Sequence, residues 1–340
     1  MTQPSPRTTD LGDAAADAAW RGFVVRFVAV FFAALAVVLA FIVLVDPYDS
    51  GRFPSIGLVG ISDTTQRTAD VSLGRSDRFT AAVIGNSHGQ LIDPERLTQL
   101  TGLSFVQLAI PGVDAPEQLA ILHWFIRHHA RVGALVLATD ARWCSDNPQP
   151  WKWFPFWLYG DSDFQYLVNS LNSRSAGAGI RRIKNALGLL HPSDPRGYDD
   201  YERGIGPDYK FDFPTPPSPP AFDLSTVDLG ERKFPAIDQL AAELAAVPAD
   251  TAIVILFPPQ YYSTLPRDAQ TAAVLAACKA RLARLATGAP HRGFLDFLVY
   301  SDLTRERGNF DELEHYRARV ARQLESAIAG VIKGQPAAAR

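Results

Sequence analysis

The sequence has little of what marks a disulfide-rich, metal-binding or nucleic-acid-binding protein. Its 340 residues include two cysteines, too few for a disulfide framework or a CxxC metal site. His123, His128 and His129 do not share a helical face at i, i+4 spacing, so they form no metal-ligand pattern. The formal net charge of −3 supplies no basic field for nucleic acid. We therefore expect no metal, no organic cofactor and no nucleic-acid partner.

The two cysteines, Cys144 and Cys278, permit two interpretations. They could pair in an oxidising compartment, or they could be separate buried thiols, because a free cysteine packs as a small hydrophobic residue. We predict separate thiols.

A long apolar run without charge occupies residues 27–45. As a helix it would be about 28 Å long, enough to cross the hydrocarbon core of a bilayer. It is longer than a signal-peptide core, and Asp46-Pro47-Tyr48 is not a small-residue cleavage site. A buried core helix is the alternative, but the run has no polar face. We predict an uncleaved transmembrane helix.

The charges around this run predict its orientation. Three arginines precede it and only Arg52 follows closely, so the positive-inside rule puts the N-terminus in the cytoplasm. We expect a single-pass protein of the inner membrane with a disordered cytoplasmic tail over 1–26. The periplasmic domain is expected over 46–333, with a disordered tail over 334–340.

From residue 79 onward, strand-like and helix-like segments alternate. This pattern predicts a parallel sheet covered on both faces, the three-layer arrangement of an α/β domain. The block at about 145–233 interrupts the alternation, and we interpret it as an insertion packed over the edge of the sheet. The predicted strands are 81–84, 104–109, 134–139, 251–257 and 293–299, and the principal predicted helices are 116–129, 268–285 and 316–332.

The turn after the first predicted strand contains a candidate nucleophile. Residues 81–84 are a short apolar run typical of a buried strand, and Gly85–Gly89 follows with the sequence Gly-Asn-Ser-His-Gly. Glycine permits a sharp turn, and Asp93 with Pro94 marks the next helix start. Ser87 is therefore expected at the carboxyl edge of the sheet, where ligands bind in open α/β proteins. A serine there can act as a nucleophile if a base reaches it.

Three later segments supply partners for such a serine. Gly112 follows the second predicted strand and Asp140 follows the third. Asn309–Tyr316 precedes the last helix and places His315 among several carboxylates. A serine needs a base for its proton, a carboxylate that orients this base, and N–H donors for the oxyanion of a tetrahedral intermediate. The pattern therefore indicates acyl transfer at Ser87.

These blocks resemble those of SGNH-type hydrolases, and more narrowly those of membrane-anchored SGNH-like proteins related to the alginate O-acetylation proteins. Such proteins often have Asp-Pro-Tyr after a single span, as at 46–48, and Asp-x-x-Trp-Cys after the third strand, as at 140–144. They tend to end in Asn-x-x-Asp-x-x-His-Tyr, which 309–316 matches except for Glu in place of Asp. The resemblance covers about residues 27–144 and 250–330.

The resemblance implies an SGNH/flavodoxin-like fold and activity as an acyl esterase or O-acetyltransferase. Its substrate would be an envelope or exported polysaccharide, and its partners would be the envelope polysaccharide machinery. It makes Ser87 the nucleophile, His315 the base, and the backbone N–H groups of Ser87 and Gly112 the oxyanion donors.

The two acidic positions depart from the pattern that the resemblance implies. Asp140 stands where a side-chain oxyanion donor usually does, and an ionised carboxylate cannot donate a hydrogen bond. Glu312 stands at the position of the triad acid, three residues before His315, and Asp311 or Glu314 could take its role.

A second class of function is open. The same fold would serve as a catalytically silent accessory or docking protein of an envelope polysaccharide complex. In that case Ser87 is an ordinary turn residue, and His315 packs at a helix start. The basic residues Arg181, Arg182 and Lys184 are expected on a solvated helix face in either case.

Overall fold

The computed structural model describes residues 8–335, except 55, 57, 59, 61–64, 151–152, 191–193, 206–208, 210–211, 213–214 and 288. The five strands are β1 (Ala81–Gly85), β2 (Phe105–Ala109), β3 (Ala134–Ala138), β4 (Ala252–Phe257) and β5 (Arg292–Asp296). The helices among the described residues are α1 (Thr8–Val45), α2 (Gln66–Gly74), α3 (Pro94–Thr101), α4 (Ala115–His128), α5 (Phe156–Tyr159), α6 (Asp163–Ser170), α7 (Ser173–Ala186), α8 (Pro235–Ala245), α9 (Ala269–Leu285), α10 (Asp302–Arg305) and α11 (Ala318–Ile332).

The strands form one parallel sheet in the order β2-β1-β3-β4-β5. Every residue of β1 to β4 is buried, so both faces of these strands are covered, as a parallel sheet requires. The edge strand β5 buries only alternate residues. It ends earlier than predicted because Asp296 Oδ1 accepts the Leu298 N–H at 3.1 Å, which turns the chain. The predicted α/β class with a parallel sheet is confirmed.

The helix α1 is the one helix among the described residues that is long and apolar enough to cross a membrane, over Ala16–Val45. It begins at Thr8 and therefore includes residues 8–26, for which the sequence suggested a disordered tail. Alanines are frequent in this stretch, and alanine has the highest helix propensity. Most side chains from Phe27 to Val38 are exposed, and burial against the domain begins near Ile42.

A buried arginine joins the end of α1 to the rest of the domain. Arg182 on α7 is 1% exposed and donates to the carbonyl oxygens of Val45 and Asp46 and to the carboxylate of Asp49. Tyr166 on α6 donates to Asp46 Oδ1 at 2.6 Å. The expectation of a solvated helix face is wrong for Arg182, because the turn after α1 offers its guanidinium a set of buried acceptors.

The segment between β3 and β4 contains α5 to α8, and part of it covers the outer edge of the sheet. Gln107 on β2 donates its N–H to Arg196 O at 2.8 Å, and Arg196 Nη1 donates to Phe105 O at 2.9 Å. Gly197 follows with φ +77°, and a Cβ there would lie 2.6 Å from Gln107 O. This contact pairs part of the strand edge that would otherwise be free.

Cys144 and Cys278 form a disulfide, with their Cα atoms 5.4 Å apart. The prediction of separate thiols is therefore wrong. Cys144 ends the 3-10 turn Ala141–Cys144 directly after β3, and α9 packs against this turn and carries the buried Cys278. Residues 134 positions apart in sequence meet because of this packing, which cysteine spacing alone does not reveal. The bond fixes the turn that carries Asp140.

Candidate active site

The candidate site lies at the carboxyl ends of β1, β2 and β3. Ser87, Gly112 and Asp140 follow these three strands, and the register places the strand ends level with one another. The strand order reverses at β1, and doubly wound sheets bind ligands at such a switch point. Gly85 is required here because a Cβ at this position would lie 2.8 Å from Ala138 Cβ. The close approach of β1 to β3 thus brings the Ser87 and Asp140 turns together.

Ser87 begins a 3-10 turn, Ser87–Gly89, that Asn86 caps. Asn86 Oδ1 accepts the His88 N–H at 3.0 Å, and Asn86 O accepts the Gly89 N–H at 2.9 Å. Ser87 is half-buried. Within the described part of the chain, neither its hydroxyl nor its N–H has a hydrogen-bonding partner. Both groups can therefore interact with a ligand.

Gly112 lies in the turn after β2 with φ +71°, a conformation that favours glycine. The side chain of Arg67 holds this turn by donating from Nη2 to Pro111 O at 2.7 Å. No acceptor among the described residues takes up the Gly112 N–H. Two unpaired backbone donors, those of Ser87 and Gly112, thus lie at the same edge of the sheet.

Asp140 is buried and accepts every hydrogen bond that it makes. Oδ1 accepts the Arg142 N–H at 2.9 Å, while Oδ2 accepts from Asn86 Nδ2 at 2.6 Å and Arg142 Nε at 3.1 Å. Burial opposes the charge of Arg142, but Asp140 and Asp114 raise the pKa of this guanidinium. Asp140 is therefore a carboxylate acceptor that anchors the Ser87 turn through Asn86. This arrangement does not supply an oxyanion donor.

The histidine and the acid predicted for the triad are in direct contact. His315 Nδ1 hydrogen-bonds Glu312 Oε1, and both side chains are partly exposed. Glutamate three residues earlier can therefore reach the imidazole despite its extra methylene. A carboxylate on Nδ1 orients the ring and stabilises its protonated form, which leaves Nε2 to act as the base.

The His315 loop is tied to the Ser87 turn. Tyr316 Oη donates to His88 O at 2.5 Å, and Tyr261 N–H, after β4, donates to Leu313 O at 2.8 Å. Phe310 and Tyr316 form an isolated antiparallel bridge that closes the loop. These bonds hold His315 at the carboxyl edge of the sheet, although α11 begins only at Ala318 rather than at the predicted position 316.

A second histidine, His88, lies in the centre of the site. It is 2% exposed, and its ring centroid is 5.3 Å from that of His315. Its Nδ1 is 3.7 Å from Asp140 Oδ2, and its Nε2 is 3.4 Å from Gln260 Nε2 and 3.8 Å from Glu314 Oε2. Since an amide nitrogen donates, a neutral His88 that accepts from Gln260 carries its proton on Nδ1, toward Asp140.

The other two candidate acids have different surroundings from Glu312. The pKa of Glu314 is lowered, first by its interaction with the His88 side chain, whose Nε2 is 3.8 Å from Glu314 Oε2. Burial raises the pKa of Asp311 against the attraction of His315. Glu314 is thus associated with His88, and the acid that hydrogen-bonds His315 is Glu312.

The structure brings the Ser87 turn and the His315–Glu312 pair to one edge, where His88 of that turn contacts His315 and Tyr316. No hydrogen bond among the described residues joins Ser87 Oγ directly to His315. Catalytic hydrogen bonds are often long before substrate binds, so this geometry is compatible with a serine–histidine pair that closes on the substrate.

Two further residues of the site were not predicted from the sequence. Tyr201, from the segment between β3 and β4, packs edge-on against His315 at 5.8 Å and donates from Oη to Tyr316 O at 3.0 Å. Gln260 comes from the loop after β4. The position of Gln260 after a fourth apolar strand was a usable signal, because the carboxyl ends of parallel strands meet at one edge. The position of Tyr201 had no such signal.

Comparison with known proteins found no family model that matches this chain and no matching curated protein.

Proposed function

We propose that this protein is a membrane-anchored SGNH-like acyl esterase or O-acetyltransferase. Its domain would be a three-layer α/β sandwich that acts on an envelope or exported polysaccharide. The observation that carries the proposal is the His315–Glu312 hydrogen bond, held beside the Ser87 turn by Tyr316. The resemblance of the four sequence blocks supplies the glycan as the substrate class.

In the proposed reaction, His315 Nε2 takes the Ser87 hydroxyl proton as Oγ attacks an ester carbonyl carbon. The carbonyl oxygen gains the negative charge and receives hydrogen bonds from the Ser87 and Gly112 N–H groups. The alcohol leaves with the proton from His315, and the acyl group stays on Ser87 Oγ. Water then attacks the acyl-serine in an esterase, or a glycan hydroxyl attacks it in a transferase, with His315 again as base.

The experiment that tests this is labelling of the full-length protein in detergent with a serine-directed phosphonate. Ser87→Ala should abolish labelling, whereas Ser326→Ala, a serine exposed on α11, should not. His315→Ala should lower the labelling rate by about 10²–10⁴-fold, because general-base catalysis contributes that much. Glu312→Gln should have a smaller effect in the same direction.

A matched histidine control separates the base from a general loss of structure. His123 pairs with Glu243 on the surface, where Nδ1 is 3.2 Å from Oε2. His123→Ala should leave the labelling rate unchanged. His88→Asn tests the second histidine: a large loss of labelling with His88→Asn and none with His315→Ala would make His88 rather than His315 the base.

The accessory function is the second candidate, favoured by one specific observation. Asp140 occupies the position of an oxyanion donor yet accepts all of its hydrogen bonds. A folded protein with neither phosphonate labelling nor turnover of simple acetyl esters or of an acetylated envelope glycan would support this docking role over the enzyme.

The proposed location is the inner membrane with the domain in the periplasm. The disulfide supports an oxidising compartment, and the three arginines before the apolar run 27–45 support a cytoplasmic N-terminus. A reporter protein that works only in the periplasm should be active when it is fused after Arg340. Activity of a cytoplasm-only reporter at the same position would reverse the orientation.

A further inference from the structure

The helices α6 and α7 expose apolar side chains in regular rows. Phe164, Val168 and Leu171 lie at i, i+4 and i+7 spacing along and just after α6, and Ile180 and Leu187 are seven residues apart on and just after α7. Their exposed fractions run from 41% at Leu171 to 74% at Phe164. The opposite sides of both helices are buried in the domain. We call these five residues the α6–α7 face.

The end of the transmembrane helix fixes where this face lies. Both α6 and α7 contact α1. A Cβ at Gly179 on α7 would lie 2.7 Å from the Phe41 ring and 3.4 Å from Val45, so the backbone of α7 touches the last turns of the apolar run. Phe41 is four residues before the end of that run, about 6 Å along the helix axis.

This depth places α7 at the membrane boundary. A run of 27–45 that fills the hydrocarbon core has its end, at Val45, near the level of the lipid headgroups. Contact with Phe41 then puts Gly179 at the same level or slightly deeper. Ile180 follows Gly179 and is half exposed, so its side chain points away from the protein interior.

The charges on α7 fit an interfacial position. Lys184 is exposed and lies between Ile180 and Leu187 in the exposed row of the helix. A lysine at this place can cover apolar surface with its methylenes and extend its ammonium group to phosphates. A helix whose exposed apolar row contains such a lysine can lie in the plane of the interface, with the apolar side chains in lipid and the ammonium group at the headgroups.

We propose that the α6–α7 face lies in the outer headgroup region of the bilayer that α1 spans, so that the domain rests on the membrane. The occupant of the face is the lipid surface. The Arg182 contacts with Val45, Asp46 and Asp49 hold the face next to the span and prevent it from turning away. This inference depends on the transmembrane helix and is independent of the proposed catalysis.

Site-directed spin labelling tests the proposal on the full-length protein in liposomes. Both native cysteines are joined in the disulfide, so one introduced cysteine can be labelled alone with a nitroxide. We choose Val168→Cys, Ile180→Cys and Leu187→Cys in the face. The exposed positions Gln239→Cys on α8 and Gln323→Cys on α11 are matched controls. The liposomes contain phosphatidylcholine with or without phosphatidylglycerol.

Labels in the face should be relaxed more by oxygen, which partitions into lipid, than by a water-soluble nickel complex, with a several-fold higher ratio than at the controls. Lys184→Gln should reduce the difference between anionic and neutral liposomes. Equal ratios at face and control positions would overturn the proposal. Face labels immobilised and protected from both relaxing agents would also overturn it, because they would indicate a protein partner on this surface.

Discussion

The Cys144–Cys278 disulfide is expected to contribute strongly to stability, and the contribution can be worked out from its loop. The bond closes a loop of 134 residues. In the chain-entropy relation, a loop of this size restricts the unfolded state by about 5 kcal/mol at 25 °C. For a domain of 150–250 residues, 1 kcal/mol corresponds to about 2–4 °C in Tm, and the shift is smaller for a longer domain, so reduction should lower the Tm here by roughly 8–10 °C.

Thermal unfolding followed by circular dichroism in detergent measures this shift with and without a thiol-free reductant. Cys144→Ala/Cys278→Ala should unfold near the temperature of the reduced native protein and should not respond to the reductant. Two reactive thiols per chain in the denatured, unreduced protein would refute the bond itself. A bond that is present but changes the free energy of unfolding by less than about 1 kcal/mol would refute the loop reasoning.

Three further predictions concern side chains that join distant elements. Arg182→Met should destabilise the protein by about 3–5 kcal/mol in a denaturant titration, because Asp49 and two carbonyl groups lose a buried charged donor; an effect as small as that of Lys184→Met would contradict this. Tyr316→Phe removes the hydrogen bond to His88 O, which should cost about 1 kcal/mol and slow phosphonate labelling of Ser87; an unchanged labelling rate would show that the loop is held without it. Burial raises the pKa of Glu325 from 4.5 to about 7, so the folded state binds this proton more tightly than the unfolded state does. The free energy of unfolding should therefore fall as pH rises between those two values, and Glu325→Gln should remove this slope. Identical pH–stability curves for the native protein and Glu325→Gln would contradict the prediction.

The sequence predicted the elements whose physical signal is local. β1, β3 and β4 are continuous apolar runs, and the observed strands differ from those predicted by at most one residue at either end. The Gly85–Gly89 turn was recognisable because its two glycines follow an apolar run. The structure adds that a Cβ at Gly85 would lie 2.8 Å from Ala138 Cβ. The resemblance implied Glu312 as the acid, with Asp311 and Glu314 as alternatives, and Glu312 is the one that hydrogen-bonds His315.

What the sequence could not predict depends on contacts between distant segments. The disulfide requires α9 to pack on the turn after β3. The sequence around Arg182 has the composition of a surface helix, and Arg182 is buried only because the turn after α1 packs against it. His88 becomes a central residue of the site only because the loops after β4 and β5 bring Gln260 and Glu314 to it.

The Arg182 contacts also set the smallest part of this chain that can be expected to fold. A protein that begins after Asp46, through truncation or a protease cut, would lack the Val45 and Asp46 carbonyl acceptors of the Arg182 guanidinium, which is buried in the intact chain. A soluble form should therefore keep the last turn of α1 from about Phe41 onward, with its lipid-facing residues made polar. Shedding from the membrane would leave an unstable fragment, so the domain is expected to work only where its anchor is.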